Sequence, residues 1–167
     1  ESVLGAGDEG QIVLRESLNP SFQRGVESVL FDDGTIWTRD DLRARSVDQI
    51  VTAGNDTITG FASGDSYVTG AGDDRVSAGD GDDTLELGTG NDFAAGGTHN
   101  DTYIYTRGDG HDIVEDLSTT GTDTLILHGI APTEITVERS GGDAYLLIAE
   151  SVLGAGDEGQ IVLRESL

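Results

Sequence analysis

A chain of 167 residues and 17.4 kDa has room for one ordinary domain, or two small ones, with a modest core. Its 32 acidic against nine basic residues leave a formal net charge of −23, which disfavours nucleic acid and anionic membranes as partners and favours a cation. The absence of cysteine excludes disulfide frameworks, zinc–thiolate centres and cysteine nucleophiles, and no stretch reads as a signal peptide or a membrane-inserting span.

In chain order, residues 1–49 form a first flanking segment, predicted to hold a hairpin and a short helix. Residues 27–31 and 35–37 read as strands around the turn Asp32-Asp33-Gly34. Thr38 with Asp41 makes a capping box for a helix over DDLRAR, residues 40–45. The chain contains no Met and opens at Glu1 inside a patterned stretch, which suggests a piece of a longer protein.

Residues 50–117 carry a repeat. Asp recurs at Asp56, Asp65, Asp74, Asp83, Asp92 and Asp101, a period of nine over six units. Two residues after each comes Ile58, Tyr67, Val76, Leu85, Ala94 or Tyr103, and two before each comes Gly54, Ser63, Gly72, Gly81, Gly90 or His99. Gly70, Gly79, Gly88 and Gly97 precede the later units by a further two positions, so the unit is close to G-x-G-x-D-x-U with U apolar. Nine residues divide into a turn of about six and a strand of about three, too short to stand alone. Stacking in a parallel roll of two facing sheets supplies the remainder. One coil then takes eighteen residues, and Ile58, Val76 and Ala94 line one sheet while Tyr67, Leu85 and Tyr103 line the other. The hydrophobic fraction of 35% argues against disorder throughout, yet so thin a core cannot by itself offset the ordering entropy of 25 Gly residues.

Metal is expected to make up the difference. In the coil Asp56, Asp74 and Asp92 stack along one edge and Asp65, Asp83 and Asp101 along the other. Gly at alternate turn positions lets backbone carbonyls converge beside the carboxylates. A gap between stacked turns thus offers about six oxygen ligands and no nitrogen or sulfur, which fits Ca²⁺ better than Zn²⁺ or the reluctantly dehydrated Mg²⁺. Three turns on each edge enclose two gaps each, so about four internal sites are expected. Beyond Asp101 the period breaks, with Gly110 where the next Asp would fall. Asp112, Asp116 and Asp123 are read either as ligands of a closing site at the end of the roll or as solvated surface acids.

In the last segment, residues 118–167, strands are expected over 135–138 and 144–149 around the Ser-Gly-Gly-Asp turn of residues 140–143, and over 160–163. Residues 150–167 repeat the eighteen letters of residues 1–18, ESVLGAGDEGQIVLRESL, at a separation of 149 positions. Either the parent protein is a tandem array of units of that length, or the segment was deliberately duplicated.

The stretch 54–103, most complete in AGDGDDTLE and LGTGNDFAA, resembles the RTX nonapeptide repeats, the hemolysin-type calcium-binding repeats of secreted bacterial proteins. That resemblance implies a parallel β-roll disordered without calcium and exported by a type I secretion system. Ser63, His99 and the small Ala94 depart from the pattern and point to weaker binding in the first and last turns. VLFDDGTIWTRDDL, with its F-x-D-G-T-x-W stretch, is similar to the hemolysin-type calcium-binding-related domain that accompanies such rolls, and DTLILHGIAPTEITVERSGGDAYLLI resembles its beginning. A complete connector would then run from about Thr122 through the duplicated segment to about Arg45 of a next unit. Two copies of the segment thus compete for one place. They are expected to resolve by ring closure within a chain or by head-to-tail pairing with a neighbouring copy.

The fold class expected is all-β, a parallel β-roll flanked by β-hairpin segments and one short helix. The function expected is a calcium-binding structural repeat unit of a large secreted or surface-attached bacterial protein. The alternative is a non-catalytic C-terminal secretion and folding module of an exported lipase, protease or epimerase; an adhesin tip is a third class. No catalytic residue is expected, since His99, His111 and His128 are scattered and lie in no metalloprotease or nucleophile-elbow motif.

Overall fold

The structure, a computed structural model of the chain, describes residues 26–48, 51–116, 118 and 120–164. Strands β1 (Ser28–Leu30) and β2 (Ile36–Thr38) pair antiparallel. The Asp-Asp-Gly turn between them closes through Gly34 N–H to Phe31 O (2.9 Å) and Thr35 N–H to Asp33 Oδ1 (2.8 Å). Phe31 meets Trp37 edge-on at 4.6 Å, and Arg45 lies 4.1 Å over the Trp37 ring.

The capping box forms as expected. Thr38 N–H donates to Asp41 Oδ2 (2.8 Å) and Asp41 N–H returns to Thr38 Oγ1 (3.3 Å), starting helix α1 (Arg39–Asp48). Arg43, buried on this helix, donates to Ser63 Oγ (3.0 Å) and so ties α1 to the first turn of the roll. Thr38→Ala removes the side-chain half of the cap and is expected to cost about 1 kcal/mol. Thermal unfolding of the calcium-loaded variant measures it, and an unchanged midpoint would contradict the assignment.

The nine-residue period builds strands β3 (Thr57–Thr59), β4 (Ser66–Val68), β5 (Arg75–Asp80), β6 (Thr84–Glu86), β7 (Phe93–Thr98), β8 (Thr102–Thr106) and β9 (His111–Glu115). Beyond these lie β10 (Thr124–His128), β11 (Ile135–Ser140), β12 (Asp143–Ile148) and β13 (Gly159–Arg164). Alternate strands enter opposite sheets, ordered β10-β8-β6-β4 and β11-β12-β13-β9-β7-β5-β3. The roll strands are parallel, and the inward positions fall in register as Ile58↔Val76↔Ala94↔Val114 and Tyr67↔Leu85↔Tyr103↔Leu125. All six inward residues read from the period are buried, none more than 4% exposed. A second inward row of Ala78, Leu87, Tyr105 and Thr69, which the period did not single out, completes the core.

The sheets do not stop at residue 117. Strand β10 adds to β8 in parallel, and β13 joins β9 in parallel while pairing antiparallel with β12. The β11–β12 hairpin turns through Gly141-Gly142, with Ser140 opposite Asp143, where the Ser-Gly-Gly-Asp signal placed it. Arg107 clamps this end of the roll: it donates to Gly129 O and Ala149 O (both 2.8 Å) and pairs with Glu134 at 2.9 Å. The C-terminal copy of the duplicated segment supplies β13, whereas residues 1–18 lie outside the described residues.

Candidate metal centre

Each strand of the roll is entered through a turn ending in Asp, Gly-x-Asp except at Ser63 and His99, and the stacking of turns makes the Asp residues into two columns. In one, Asp56 N–H donates to Asp74 Oδ1 (2.8 Å), Asp74 N–H to Asp92 Oδ1 (2.6 Å) and Asp92 N–H to Asp112 Oδ1 (3.1 Å). In the other, Asp65 N–H donates to Asp83 Oδ1 (2.7 Å), Asp83 N–H to Asp101 Oδ1 (2.9 Å) and Asp101 N–H to Asp123 Oδ1 (2.9 Å). Both columns were expected; their last members arrive after 20 and 22 residues instead of 18.

Two loop insertions, not an end of the repeat, explain that break. Gly110 bridges to Gly90, so Gly108-x-Gly110-x-Asp112-x-Val114 repeats the unit two residues late. Gly121-x-Asp123-x-Leu125 repeats its core four residues late. The spacing pattern G-x-G-x-D-x-U, searched without a fixed period, would have found the first of these.

The inner Asp side chains are almost wholly enclosed: Asp74 is 2% exposed, and Asp83, Asp92 and Asp101 are 1% each. One oxygen of each accepts a backbone N–H; the other, Oδ2 of Asp74, Asp83, Asp92 and Asp101, is buried without a hydrogen-bond partner. These are the only such carboxylate oxygens among the described residues. An uncompensated buried oxygen of this kind is costly. Burial, reinforced by neighbouring carboxylates, pushes Asp83 up to about 7, Asp92 to about 6 and Asp112 to about 7, and raises Asp101 as well. Protein groups alone therefore leave these carboxylates poorly stabilised as anions, and a cation between the turns could supply the missing partner. The donor set is oxygen only, as a hard divalent ion requires.

The first members differ. Asp56 takes Thr52 N–H at Oδ2 (2.6 Å) and Thr52 Oγ1–H at Oδ1 (2.9 Å), while Asp65 Oδ2 takes Phe61 N–H (2.9 Å) and the Tyr67 hydroxyl (3.1 Å). Both Asp56 oxygens and Asp65 Oδ2 are already engaged. At the other end Asp116 joins the Asp123 carboxyl by a hydrogen bond, and burial together with that contact raises it to about 6. Tyr103, Ser118 and Leu163 line the same cavity.

Of the eight glycines singled out in the sequence, Gly70, Gly72, Gly79, Gly81, Gly88, Gly90 and Gly97 have positive φ; Gly54 does not. At Gly90 a Cβ would collide with the Gly72 carbonyl oxygen, because the turns stack at backbone contact. Some of the carbonyls already accept hydrogen bonds, Gly54 O from Thr52 Oγ1 (3.2 Å), Gly70 O from Thr89 (2.8 Å) and Gly90 O from His111 (3.2 Å), each with a second lone pair remaining. His99 adopts φ 84° in place of a glycine. Among the described residues no three acidic or histidine side chains converge as a ready-made cage.

A pair of outer ladders escaped the sequence reading. Asp73 N–H donates to Asn55 Oδ1, and Asn91 donates twice to Asp73 Oδ1 (2.9 and 3.0 Å). Asn100 does the same to Asp82 (3.0 Å each), and Thr122 N–H donates to Asn100. Backbone hydrogen bonds hold the exposed Asp73 and Asp82 below the usual carboxylate range. Placing Asn against Asp in successive turns gives each charge a donor and spares it a like neighbour. Asp109 was also missed: it is buried, accepts Thr106 N–H at 2.6 Å, and is raised by burial.

Residues 50–76 and 77–114 match the family model of the RTX calcium-binding nonapeptide repeat (4 copies). One subunit of the Azotobacter vinelandii mannuronan C5-epimerase, a solution structure, shares the fold at TM-score 0.50 and 20% identity, covering 68% of this chain and 73% of its own. A second subunit of that epimerase aligns at TM-score 0.49 and 24% identity, over 69% and 83% of the two chains. No curated protein matches the chain.

Proposed function

We propose that this chain, whose residues 50–114 are RTX calcium-binding nonapeptide repeats, is a structural unit of a secreted or surface-attached protein that folds and stiffens on binding Ca²⁺. The observation that carries the reading is the set of four buried, partnerless Oδ2 atoms. Asp74, Asp83, Asp92 and Asp101 would hold about four internal ions with carbonyls drawn from Gly54, Gly70, Gly72, Gly79, Gly81, Gly88, Gly90 and Gly97. Asp56 and Asp65 complete the columns at one end. Asp112, and Asp123 with Asp116, would serve end sites at the other. Bound calcium would supply the positive charge that the columns lack; the residues themselves fix the carboxylates in line and exclude water.

No helix among the described residues is long and apolar enough to cross a membrane. The exposed Asp73 and Asp82 ladders and the net charge of −23 suit an extracellular, calcium-rich setting in which units join head to tail into a rod. Light scattering with calcium should then show mass rising with protein concentration; a monomer at every concentration would refute the joining. A second reading, a non-catalytic folding and secretion module of a larger enzyme, draws on the fold shared with an epimerase subunit. A catalytic motif in adjoining sequence would favour it, and another copy of the unit would favour the rod.

Isothermal titration tests the binding. Asp83→Asn removes one charged ligand, a loss of roughly 1.5–3 kcal/mol that raises the calcium midpoint roughly 10- to 100-fold. Asp82→Asn, one residue away in the outer ladder, should shift it by less than about three-fold, the scale of a single exposed charge. Equal shifts in the two variants, or calcium uptake matched by Mg²⁺, would overturn the reading.

A further inference from the structure

Strand β13 joins the β11–β12 hairpin to the sheet of the roll, since it lies between β9 and β12. Its fit is specific. Ile161 is fully buried, Arg164 reaches Glu115 at 3.3 Å, and Gln160 N–H donates to Gly110 O at 3.0 Å. Gly159 sits so close to its neighbours that a Cβ would collide with the Tyr105 hydroxyl and stand 2.8 Å from Gly110 O. Residues 10–15 read GQIVLR, the same six letters as residues 159–164, so every side chain that makes this fit occurs twice in the chain. The slot has no means of telling the copies apart by side chain.

We propose that the β13 slot is an exchangeable joint whose alternative occupant is the segment 10–15 of a second copy of this chain. This rests on the head-to-tail reading and names its contact. The C-terminal copy is tethered to β12 through residues 149–158, which gives it an effective concentration on the order of mM. It therefore holds the slot in dilute protein. The chain's own N-terminal copy can compete for it only from the far side of the sheet. That copy leads into β1, β2 and α1, and Arg43 pins α1 to Ser63 at the β3 end of the sheet. Four strand spacings of about 4.8 Å separate β3 from β13, so the segment would have to run back along the outside of the roll. A second copy meets no such constraint. Its entry is a heterologous contact, since its own slot stays open to a third copy, and the assembly grows without closing.

The full chain carrying Gly159→Val, with calcium, tests this. Its C-terminal copy no longer fits, while Gly10 is untouched. Hydrogen exchange should show protection lost at residues 159–164 and gained at 10–15, with light scattering reporting dimers and longer species. A monomer protected at 10–15 would mean that the chain fills its own slot, and absence of protection at 10–15 would mean that the slot does not accept that copy; either overturns the proposal. Should Gly159→Val prevent folding, an isotope-labelled peptide of residues 1–18, incubated at about mM with the wild-type chain, decides instead. The peptide must gain exchange protection, and a Gly10→Val peptide must not; equal behaviour of the two overturns the joint. A wild-type chain that stays monomeric while the variant assembles would sink the rod and leave the joint standing.

Discussion

Withdrawing calcium with EGTA is expected to abolish the β-sheet circular dichroism of the roll, and adding it back in excess to restore the spectrum. The columns explain the size of this effect. Asp74, Asp83, Asp92 and Asp101 lose water on folding, and each keeps one oxygen that no protein group satisfies. Burial first, and neighbouring carboxylates second, disfavour the anionic forms of Asp83, Asp92 and Asp101, and Asp83 and Asp92 are pushed up to about 7 and about 6. The apolar core between the sheets cannot compensate, since its inward rows include Ala78 and Ala94 beside Ile58, Val76 and Leu85. With a domain's net stability at about 5–15 kcal/mol, several uncompensated buried oxygens at roughly 1–3 kcal/mol each are enough to unfold it. Mg²⁺ at the same concentration should leave the chain unfolded, because it sheds its water reluctantly. Identical spectra with and without EGTA would remove the basis of the calcium reading.

Gly90→Val should prevent the roll from forming even at saturating calcium. The added Cβ points into the Gly72 carbonyl oxygen of the turn below, a backbone atom that cannot swing aside, and Gly90 already has φ 154°. Spreading the two turns would break the hydrogen bonds from Asp74 to Asp92 and from Gly72 to Thr89 together. The cost is expected to exceed about 4 kcal/mol, the range of strain and steric lesions in a packed backbone. Gly141→Ala is the control. Gly141 also has positive φ, at 66°, but nothing lies within 4 Å of its Cβ position, so about 1–2 kcal/mol of backbone strain is the whole effect. Calcium-loaded thermal unfolding separates the two, and a Gly90→Val chain that melts like Gly141→Ala would refute the close stacking of turns. Excess calcium should rescue Asp83→Asn and should fail to rescue Gly90→Val, which distinguishes a weakened ligand from an obstructed turn.

The repeat was legible because its chemistry is local and periodic. Ile58 through Tyr103 could be assigned to alternate sheets from spacing alone, and each is buried where the period put it. The Ser-Gly-Gly-Asp hairpin and the Thr38–Asp41 cap were legible for the same reason: each is a contact between near neighbours. What escaped depends on distant pairing. Strand β10 alternates exposed and half-buried positions along TLILH like any half-buried strand, and nothing within Thr124–His128 announces that it lies on β8. The roles of Asp112 and Asp123 as the last members of the columns were hidden by the two- and four-residue insertions, which shift the period without altering the stacking. The outer ladders escaped because Asn55, Asn91 and Asn100 carry no signal until their turns are laid over Asp73 and Asp82.

Because β13 stands on β9 and not on β8, the unit can change length only by even counts. An added nonapeptide would move every later strand to the opposite sheet, so the strand that should present its edge to Gly159 and Ile161 would lie on the far side of the core. An added pair, eighteen residues, returns the hairpin to the same sheet, lengthens both columns by one Asp and leaves the Tyr105–Gly159 contact as it was. An insertion of eighteen residues is therefore expected to keep the hairpin joined to the roll, and an insertion of nine to detach it.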